Sequence, residues 1–236
     1  MTLATVMAGD CRDELPHLDA GFFAACVTSP PVYGCFGPPA DDLPDPRRRR
    51  AIGAGSVADY IRDLRGVFYE VRRVLRPDGC LWLALGDTVG PDGGWQGIPW
   101  QVAHALRDDG WRVLDAIAWN SGLTALAPDG RVRDVPEMVF VFSPEGSVRH
   151  AKCSPAWDME RPPLEPPARF RALPEGMVQR CLNASTRPGE RVLDPFAGIG
   201  TVARVAERLG RPCFSIELDP HVARHAQERL ATEARP

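Results

Sequence analysis

Lysine is almost missing from this chain: Lys152 is the only one among its 28 basic residues. The arginines do not make up an excess of positive charge, because the formal net charge is -3. The chain as a whole is therefore not drawn to nucleic acid or to an anionic membrane, and any such contact has to come from local basic surface such as Arg47 to Arg50. No apolar run approaches the ~20 residues that cross a bilayer, and Met1 to Asp10 lacks the charged and apolar segments of a signal peptide. A cytoplasmic protein without a membrane partner is expected. The seven cysteines are odd in number and scattered, and no Cys-x-x-Cys pair is present. That argues against a disulfide framework and against a structural zinc, so no metal is expected. No internal repeat is visible either.

What is present suits a globular chain with one core. The 236 residues are 44% hydrophobic and 25% charged, which predicts a single domain over residues 1–236. Apolar runs alternate with amphipathic stretches from end to end, the pattern of a sheet flanked by helices. Strands are expected at Thr5 to Ala8, Phe22 to Thr28, Leu81 to Leu85, Val113 to Trp119, Met138 to Phe142, Arg191 to Leu193 and Phe214 to Glu217. Helices are expected at Asp59 to Leu75, Pro99 to Asp108, Pro174 to Ala184, Thr201 to Leu209 and His221 to Thr232. Arg76-Pro77-Asp78-Gly79 reads as a turn, and Gly146 to Pro167, rich in proline and charge without a period, reads as an extended loop.

Two motifs carry the chemistry, each at the end of an expected strand, where open α/β sheets bind their ligands. Near the end of the chain stands Asp194-Pro195-Phe196-Ala197-Gly198-Ile199-Gly200-Thr201, followed by a helix. Gly198 and Gly200 lack the β-carbon that blocks close approach of a ligand, and the helix start offers unpaired amides. Gly-x-Gly-x-x-Gly is absent, which weighs against a dinucleotide dehydrogenase. Near the start stands Thr28-Ser29-Pro30-Pro31-Val32-Tyr33. Two prolines stiffen this turn and remove amide donors, so the Ser29 hydroxyl and the Pro30 carbonyl can face a bound amine as acceptors.

Together the two motifs resemble the halves of the S-adenosylmethionine (AdoMet) dependent DNA amino-methyltransferases, in the β-group order with the base motif first. Gly9-Asp10-Cys11-Arg12, Gly86-Asp87, Ile98-Pro99-Trp100 and Asn183-Ala184-Ser185-Thr186-Arg187-Pro188-Gly189 extend the resemblance over most of the chain. It implies a circularly permuted Rossmann-like methyltransferase fold: α/β, a mostly parallel seven-stranded sheet with an antiparallel edge, and helices on both faces. It implies AdoMet as cofactor, bound by Asp10, Thr28, Asp194, Phe196, Ala197, Gly198, Gly200, Thr201 and Glu217. In that scheme Asp194 accepts from the methionine ammonium, Glu217, 23 residues on, bonds the ribose hydroxyls, Asp10 takes the adenine amine, and Phe196 covers part of the ligand.

The reaction implied is methyl transfer to the exocyclic amine of a base flipped out of double-stranded DNA, with Ser29, Pro30, Pro31 and Tyr33 as the catalytic turn. Ser-Pro-Pro is closer to the cytosine-N4 enzymes than to the adenine-N6 ones, which stay the alternative. A module that holds AdoMet or DNA without turnover is a further alternative. A cytosine-C5 enzyme needs a nucleophilic cysteine after proline; Pro212-Cys213 has the dipeptide but lies in an expected buried strand.

The chain also departs from the family pattern, which has an aromatic residue directly after the second proline. Val32 stands there, so the stacking ring is expected to be Tyr33, swung in by a local shift, with Val32 itself or Phe36 as substitutes. The lysine often found after the strand at Trp119 is replaced by Asn120-Ser121, and Pro136-Glu137 replaces the usual histidine and glutamate. The target-recognition region is short, so residues 36–56 and 144–170 are expected to be mobile DNA-contacting loops. Arg47 to Arg50, Arg131, Arg133 and Arg149 are the expected DNA contacts. A cognate restriction endonuclease is a possible partner by the same resemblance, and the chain is expected to act as a monomer or a homodimer.

Overall fold

Strand β2 (Phe23–Thr28) is buried along its whole length. That is the mark of a central strand covered on both faces. Its hydrogen-bonded neighbours are β3 (Leu75–Gly86) on one side and β9 (Val192–Asp194) on the other, both parallel to it. Beyond β9 lie β10 (Cys213–Glu217) and then β1 (Ala4–Ala8), again parallel. Beyond β3 lie β7 (Glu137–Ser143), β4 (Arg112–Asn120) and β8 (Ala156–Asp158). Only β7 runs against its neighbours. The sheet order is β1-β10-β9-β2-β3-β7-β4-β8, and the computed structural model that shows it describes residues 3–34, 51–126, 130, 132–145, 153–166 and 172–233.

The alternation of β3 and β7 divides the core in two. Cys80, Trp82, Ala84, Val139 and Val141 face one layer, and Leu81, Leu83, Leu85, Phe140 and Phe142 face the other. The first layer is closed by α4 (Glu175–Ser185), α5 (Thr201–Arg208) and α6 (Pro220–Glu233), through residues such as Val178, Leu182, Val202, Ala206 and Ala226. The second is closed by the short α1 (Cys11–Glu14) together with α2 (Val57–Val74) and α3 (Ile98–Asp108). Helix α2 begins with a reciprocal capping box between Ser56 and Asp59, and buries Tyr60, Leu64, Val67, Phe68 and Val71 at helical spacing. Asp87 caps α3, its carboxylate accepting from the amides of Gly97 at 2.8 Å and Ile98 at 3.0 Å. The Gly86-Asp87 mark thus serves the architecture.

Three expectations change. Among the described residues the sheet has eight strands, not seven, because β8 forms inside the stretch 146–167 read as a loop. Trp157 explains it: the indole is buried and stacks on Trp82 at 6.1 Å, and one anchoring ring in a three-residue strand leaves no period to read. The expected antiparallel pair of β4 and β7 is present, but β8 takes the edge beside β4. The expected turn at Arg76 to Gly79 lies within β3, as a bulge opposite β2: Phe23 faces Leu75, and Ala25 already faces Cys80. A Cβ on Gly79 would come within 2.9 Å of the Arg76 carbonyl oxygen and 3.0 Å of that of Ala24, so the bulge needs glycine. A small hairpin, β5 (Thr124–Leu126) with β6 (Val132–Asp134), was also not expected.

Among the described residues no helix is long and apolar enough to cross a membrane, and no cluster could hold a metal ion. Most of the expected DNA-contacting segments, including Phe36, Arg47 to Arg50, Arg131 and Arg149, lies outside the described residues. The parts that are described are packed in places: Ala51, Ile52 and Arg161 are all buried.

Candidate active site

Strands β1, β2, β9 and β10 are parallel neighbours, so their carboxyl ends open at one edge of the sheet. A cavity of about 520 Å³ lies there. Its wall carries Asp10 after β1, Ser29, Pro30 and Pro31 after β2, Asp194 to Gly198 with Thr201 around the end of β9, and Glu217 at the end of β10. Two motifs separated by more than 150 residues of sequence therefore share one cavity. It sits at β2, where the connections pass from one half of the sheet to the other.

The carboxylates differ in setting. Asp194 is 2% exposed, and Oδ1 accepts from Thr28 Oγ1 at 2.7 Å and from the Phe196 amide at 3.1 Å. Among the described residues both bonds fall on Oδ1, which leaves Oδ2 as the acceptor for a cation in the cavity. Burial pushes the Asp194 carboxyl up to about 7, against the opposing pull of the two hydrogen bonds and with some help from the charge of Glu217. Glu217 is also raised, again chiefly by burial, while its oxygens accept from the amides of Gly198 at 2.8 Å and Asp219 at 2.9 Å. Asp10 caps α1, and Arg12 grips it through Nε at 2.9 Å and Nη2 at 2.7 Å.

Two glycines of the turn divide the work. Gly198 has φ +52°, and a Cβ there would meet no protein atom within 4 Å, so the space beside it is open for a ligand. Gly200 has φ +78°, and a Cβ there would lie 3.0 Å from Ala226 Cβ. It does not line the cavity; its part is the close approach of the α5 start to α6. Thr28, fully buried, likewise stands behind the wall and reaches it only through Asp194.

Tyr33 does not line the cavity either. Its ring leans on Tyr60 at 5.7 Å, and the Tyr60 hydroxyl donates to the Pro31 carbonyl at 2.9 Å. Tyr33 therefore braces the turn from behind, while Val32 holds the place on the wall that was expected to carry a ring. The shift that would bring Tyr33 inward is opposed by the packing of residues 51–54: the Gly34 amide donates to the Gly53 carbonyl at 3.1 Å. Cys213 and Cys11 offer no alternative chemistry. Cys213 is buried in β10 beside Ser215, its thiol pushed up to about 12 by burial, and Cys11 on the cavity wall is likewise raised to about 12. Neither is a thiolate near neutral pH.

The pairing of Arg161 with Glu137 is not visible in the sequence. Both are buried, and they form a two-pronged ion pair in which Arg161 Nη2 and Nε donate to Glu137 Oε1 and Oε2 at 2.6 and 3.2 Å. Arg161 lines the cavity and lies over the Trp119 ring at 4.3 Å. A positive charge thus stands at the end of β4, where the family often has a lysine, but it arrives from another segment. Pairing across 24 residues leaves no local pattern that could have revealed it.

The donor set and the open turn suit AdoMet: a buried carboxylate for an ammonium, a second acid near the glycine turn for hydroxyls, and bare backbone between them. The comparisons agree. Residues 24–228 match the family model for DNA methylases of the N6 and N4 type. The type II methyltransferase M.SmaI of Serratia marcescens is 32% identical over 95% of this chain and 90% of its own length. The type II methyltransferase M.XycI of Xanthomonas campestris pv. cyanopsidis is 31% identical over 96% of this chain and 87% of its own. In fold, the PvuII cytosine-N4-specific DNA methyltransferase matches with a TM-score of 0.78, at 17% identity over 98% of this chain and 93% of its own. TTHA0409, a putative DNA modification methylase from Thermus thermophilus solved in complex with S-adenosyl-L-methionine, matches with a TM-score of 0.74, at 25% identity over 98% and 96%. On the family match and these relatives, the chain belongs to the AdoMet-dependent DNA amino-methyltransferases.

Proposed function

We propose that this DNA methyltransferase acts on the N4 amine of cytosine, flipped out of the duplex into the cavity beside the Ser-Pro-Pro turn. The observation that carries the reading is the shared wall: Ser29 and Pro30 open onto the same cavity as Asp194, Gly198 and Glu217, with Thr28 tied to Asp194 behind them. The serine form of the turn and the named specificity of the PvuII enzyme, similar in fold, support cytosine over adenine.

When bound, AdoMet supplies an electrophilic methyl group on a sulfonium. The protein's part is positioning. Asp194 Oδ2 would hold the ammonium, Glu217 the ribose hydroxyls, and Asp10, held by Arg12, the adenine amine. Gly198 lets the ligand lie against the backbone. On the other side the Ser29 hydroxyl and Pro30 carbonyl accept the two amine protons, which turns the nitrogen lone pair out of conjugation and toward the methyl carbon. Proline and the Tyr60 bond to Pro31 keep the acceptors from moving. These oxygens would meet the positive charge that passes from the sulfonium to the nitrogen as the C–S bond gives way to the N–C bond, and the surplus amine proton would be lost to water. Val32 gives the flipped base an apolar contact in place of a stacked ring.

By similarity to the type II methyltransferases, the chain is read as the protecting partner of a cognate restriction endonuclease, acting on double-stranded DNA in the cytoplasm. Transfer of label from methyl-labelled AdoMet to unmodified plasmid DNA tests the assignment of the turn. Ser29→Ala is expected to lower transfer about 10- to 100-fold, as for loss of an acceptor that meets developing charge, with AdoMet affinity unchanged. Equal loss of affinity and transfer would place Ser29 in cofactor binding instead.

A further inference from the structure

The connection from β4 to β7 turns at the edge of the sheet where the cavity opens. Strand β7 runs against both β3 and β4, so β4 is parallel to β3 and ends at the same edge. The root of the connection is fixed. Ser121, just after β4, and Glu137, the first residue of β7, are both buried, and Glu137 is paired with Arg161. Between them Leu123 lines the cavity, and its carbonyl accepts from the Val135 amide at 2.9 Å.

From this root the hairpin of β5 and β6 extends as a ribbon that does not join the main sheet. Thr124 stands opposite Asp134, and Leu126 opposite Val132. Residues directly opposite share a face, so a polar pair near the root is followed by an apolar pair farther out. Leu126 is 73% exposed and Val132 68%, and among the described residues neither packs into either core layer. A single exposed apolar side chain is ordinary, but a matched pair on an isolated ribbon calls for a cover. Two side chains are a small part of the about 800 Å² that each partner brings to a stable protein interface, which disfavours a second copy of the chain. The ligand brought to this edge is DNA.

Leu126 lies three residues beyond Leu123, about 10 Å of strand. The grooves of B-DNA are only about 7.5 to 8.5 Å deep. A ribbon rooted at the cavity rim is therefore long enough to reach the stacked bases of a duplex that delivers a base to the cavity. The geometry points to Leu126 and Val132 as an apolar wedge that enters the duplex beside the target and covers the stack left open by the flipped base. The inference rests on the flipped-base reading above, but not on the choice of base. Extrusion bares the faces of the neighbouring bases to water, and branched aliphatic side chains cover them without any polar group to satisfy. This contact forms only when the base is out, so it shifts the bound duplex toward the flipped form.

The test uses a duplex oligonucleotide carrying a site mapped from plasmid methylated by the protein. Its target cytosine is replaced by 5-fluorocytosine, and fluorine NMR of the complex with S-adenosylhomocysteine reads the flipped fraction. Wild type is expected to hold the base largely flipped, and Leu126→Thr with Val132→Thr to leave it largely stacked. Threonine keeps the strand preference, and both sites are exposed, so unfolding curves and AdoMet affinity should match wild type within about 2-fold. Single-turnover transfer at saturating DNA should fall about 10- to 100-fold in the double variant, the scale of two apolar side chains losing their cover. On a duplex with a mismatch opposite the target, where extrusion costs least, the deficit should shrink to within about 3-fold. Leu126→Met with Val132→Ile, which keeps the apolar tip, should flip as wild type does. Equal flipping by wild type and the threonine variant removes the wedge alone, and so does a deficit of the same size on both duplexes. Wild type that self-associates where the threonine variant does not assigns the pair to a second copy and overturns the wedge. A base that stays stacked in wild type removes the flipped-base reading and this inference with it. If the mapped base is adenine, the cytosine reading falls, and the same comparison is made with 2-aminopurine fluorescence.

Discussion

Thr28 Oγ1 donates to Asp194 Oδ1 across 2.7 Å, joining the last residue of the strand that leads into the Ser-Pro-Pro turn to the last residue of the strand that leads into the glycine turn. The two motifs are thereby fixed to each other by a buried bond. The same bond pulls the Asp194 carboxyl down against the burial that raises it. Thr28→Val keeps the shape and removes the donor. It is expected to raise the Asp194 pKa further and to weaken AdoMet binding at neutral pH by about 1.5–3 kcal/mol, the range for a hydrogen bond to a charged group. Calorimetric titration at pH 7 and again at pH 9 checks this: affinity lost at the lower pH should be partly regained at the higher.

Wild-type binding should itself depend on pH. With Asp194 at about 7 in the ligand-free protein, the carboxylate that an ammonium needs is incompletely ionised below that value. AdoMet affinity is expected to rise between about pH 6 and pH 8 and then level off. Stability runs the other way. A folded-state pKa raised above the ordinary 3.8 favours folding fully below pH ~4 and ceases to do so as pH climbs through about 7. Glu217, also raised, acts with the same sign. In ligand-free protein, Asp194→Asn is expected to flatten the fall in stability between pH 5 and pH 8, measured by denaturant unfolding.

The glycines make a pair of opposite predictions. Gly200→Ala puts a Cβ 3.0 Å from Ala226 Cβ at a positive φ, and should cost about 1–3 kcal/mol of stability through strain. Gly198→Ala, also at positive φ but facing open space, should cost about 1 kcal/mol of stability and lose more AdoMet affinity than stability. Unfolding curves and calorimetry on the same two variants separate the effects.

Glu137→Gln leaves Arg161 buried without its counter-charge and should cost about 3–5 kcal/mol. Replacing both by methionine is expected to recover a good part of that loss in the same unfolding assay, because the buried charge is removed with its partner.

The elements with strong periods were legible. Helix α2 carries its buried face at helical spacing, and the alternation of β3 and β7 follows their sequences residue by residue. The two turns that meet on the cavity wall stand out in the sequence as well, because glycine and proline turns are local devices visible in a few residues. What was hidden depends on contacts distant in sequence. Trp157 makes a strand by stacking on Trp82, Glu137 finds Arg161, and Ala226 excludes a side chain at Gly200. Tyr33 shows the same dependence: its ring leans on Tyr60, on a helix farther along the chain, and does not line the cavity.

Mass spectrometry of nucleosides from unmodified GC-rich plasmid DNA, incubated with the purified protein and methyl-deuterated AdoMet, tests transfer to the N4 amine of cytosine most directly. Deuterium-labelled N4-methylcytosine, formed about 10- to 100-fold more slowly by Ser29→Ala, is the predicted result. Labelled N6-methyladenine in its place would contradict the choice of base, and no labelled nucleoside, from protein that still binds AdoMet, would contradict transfer to DNA at this cavity.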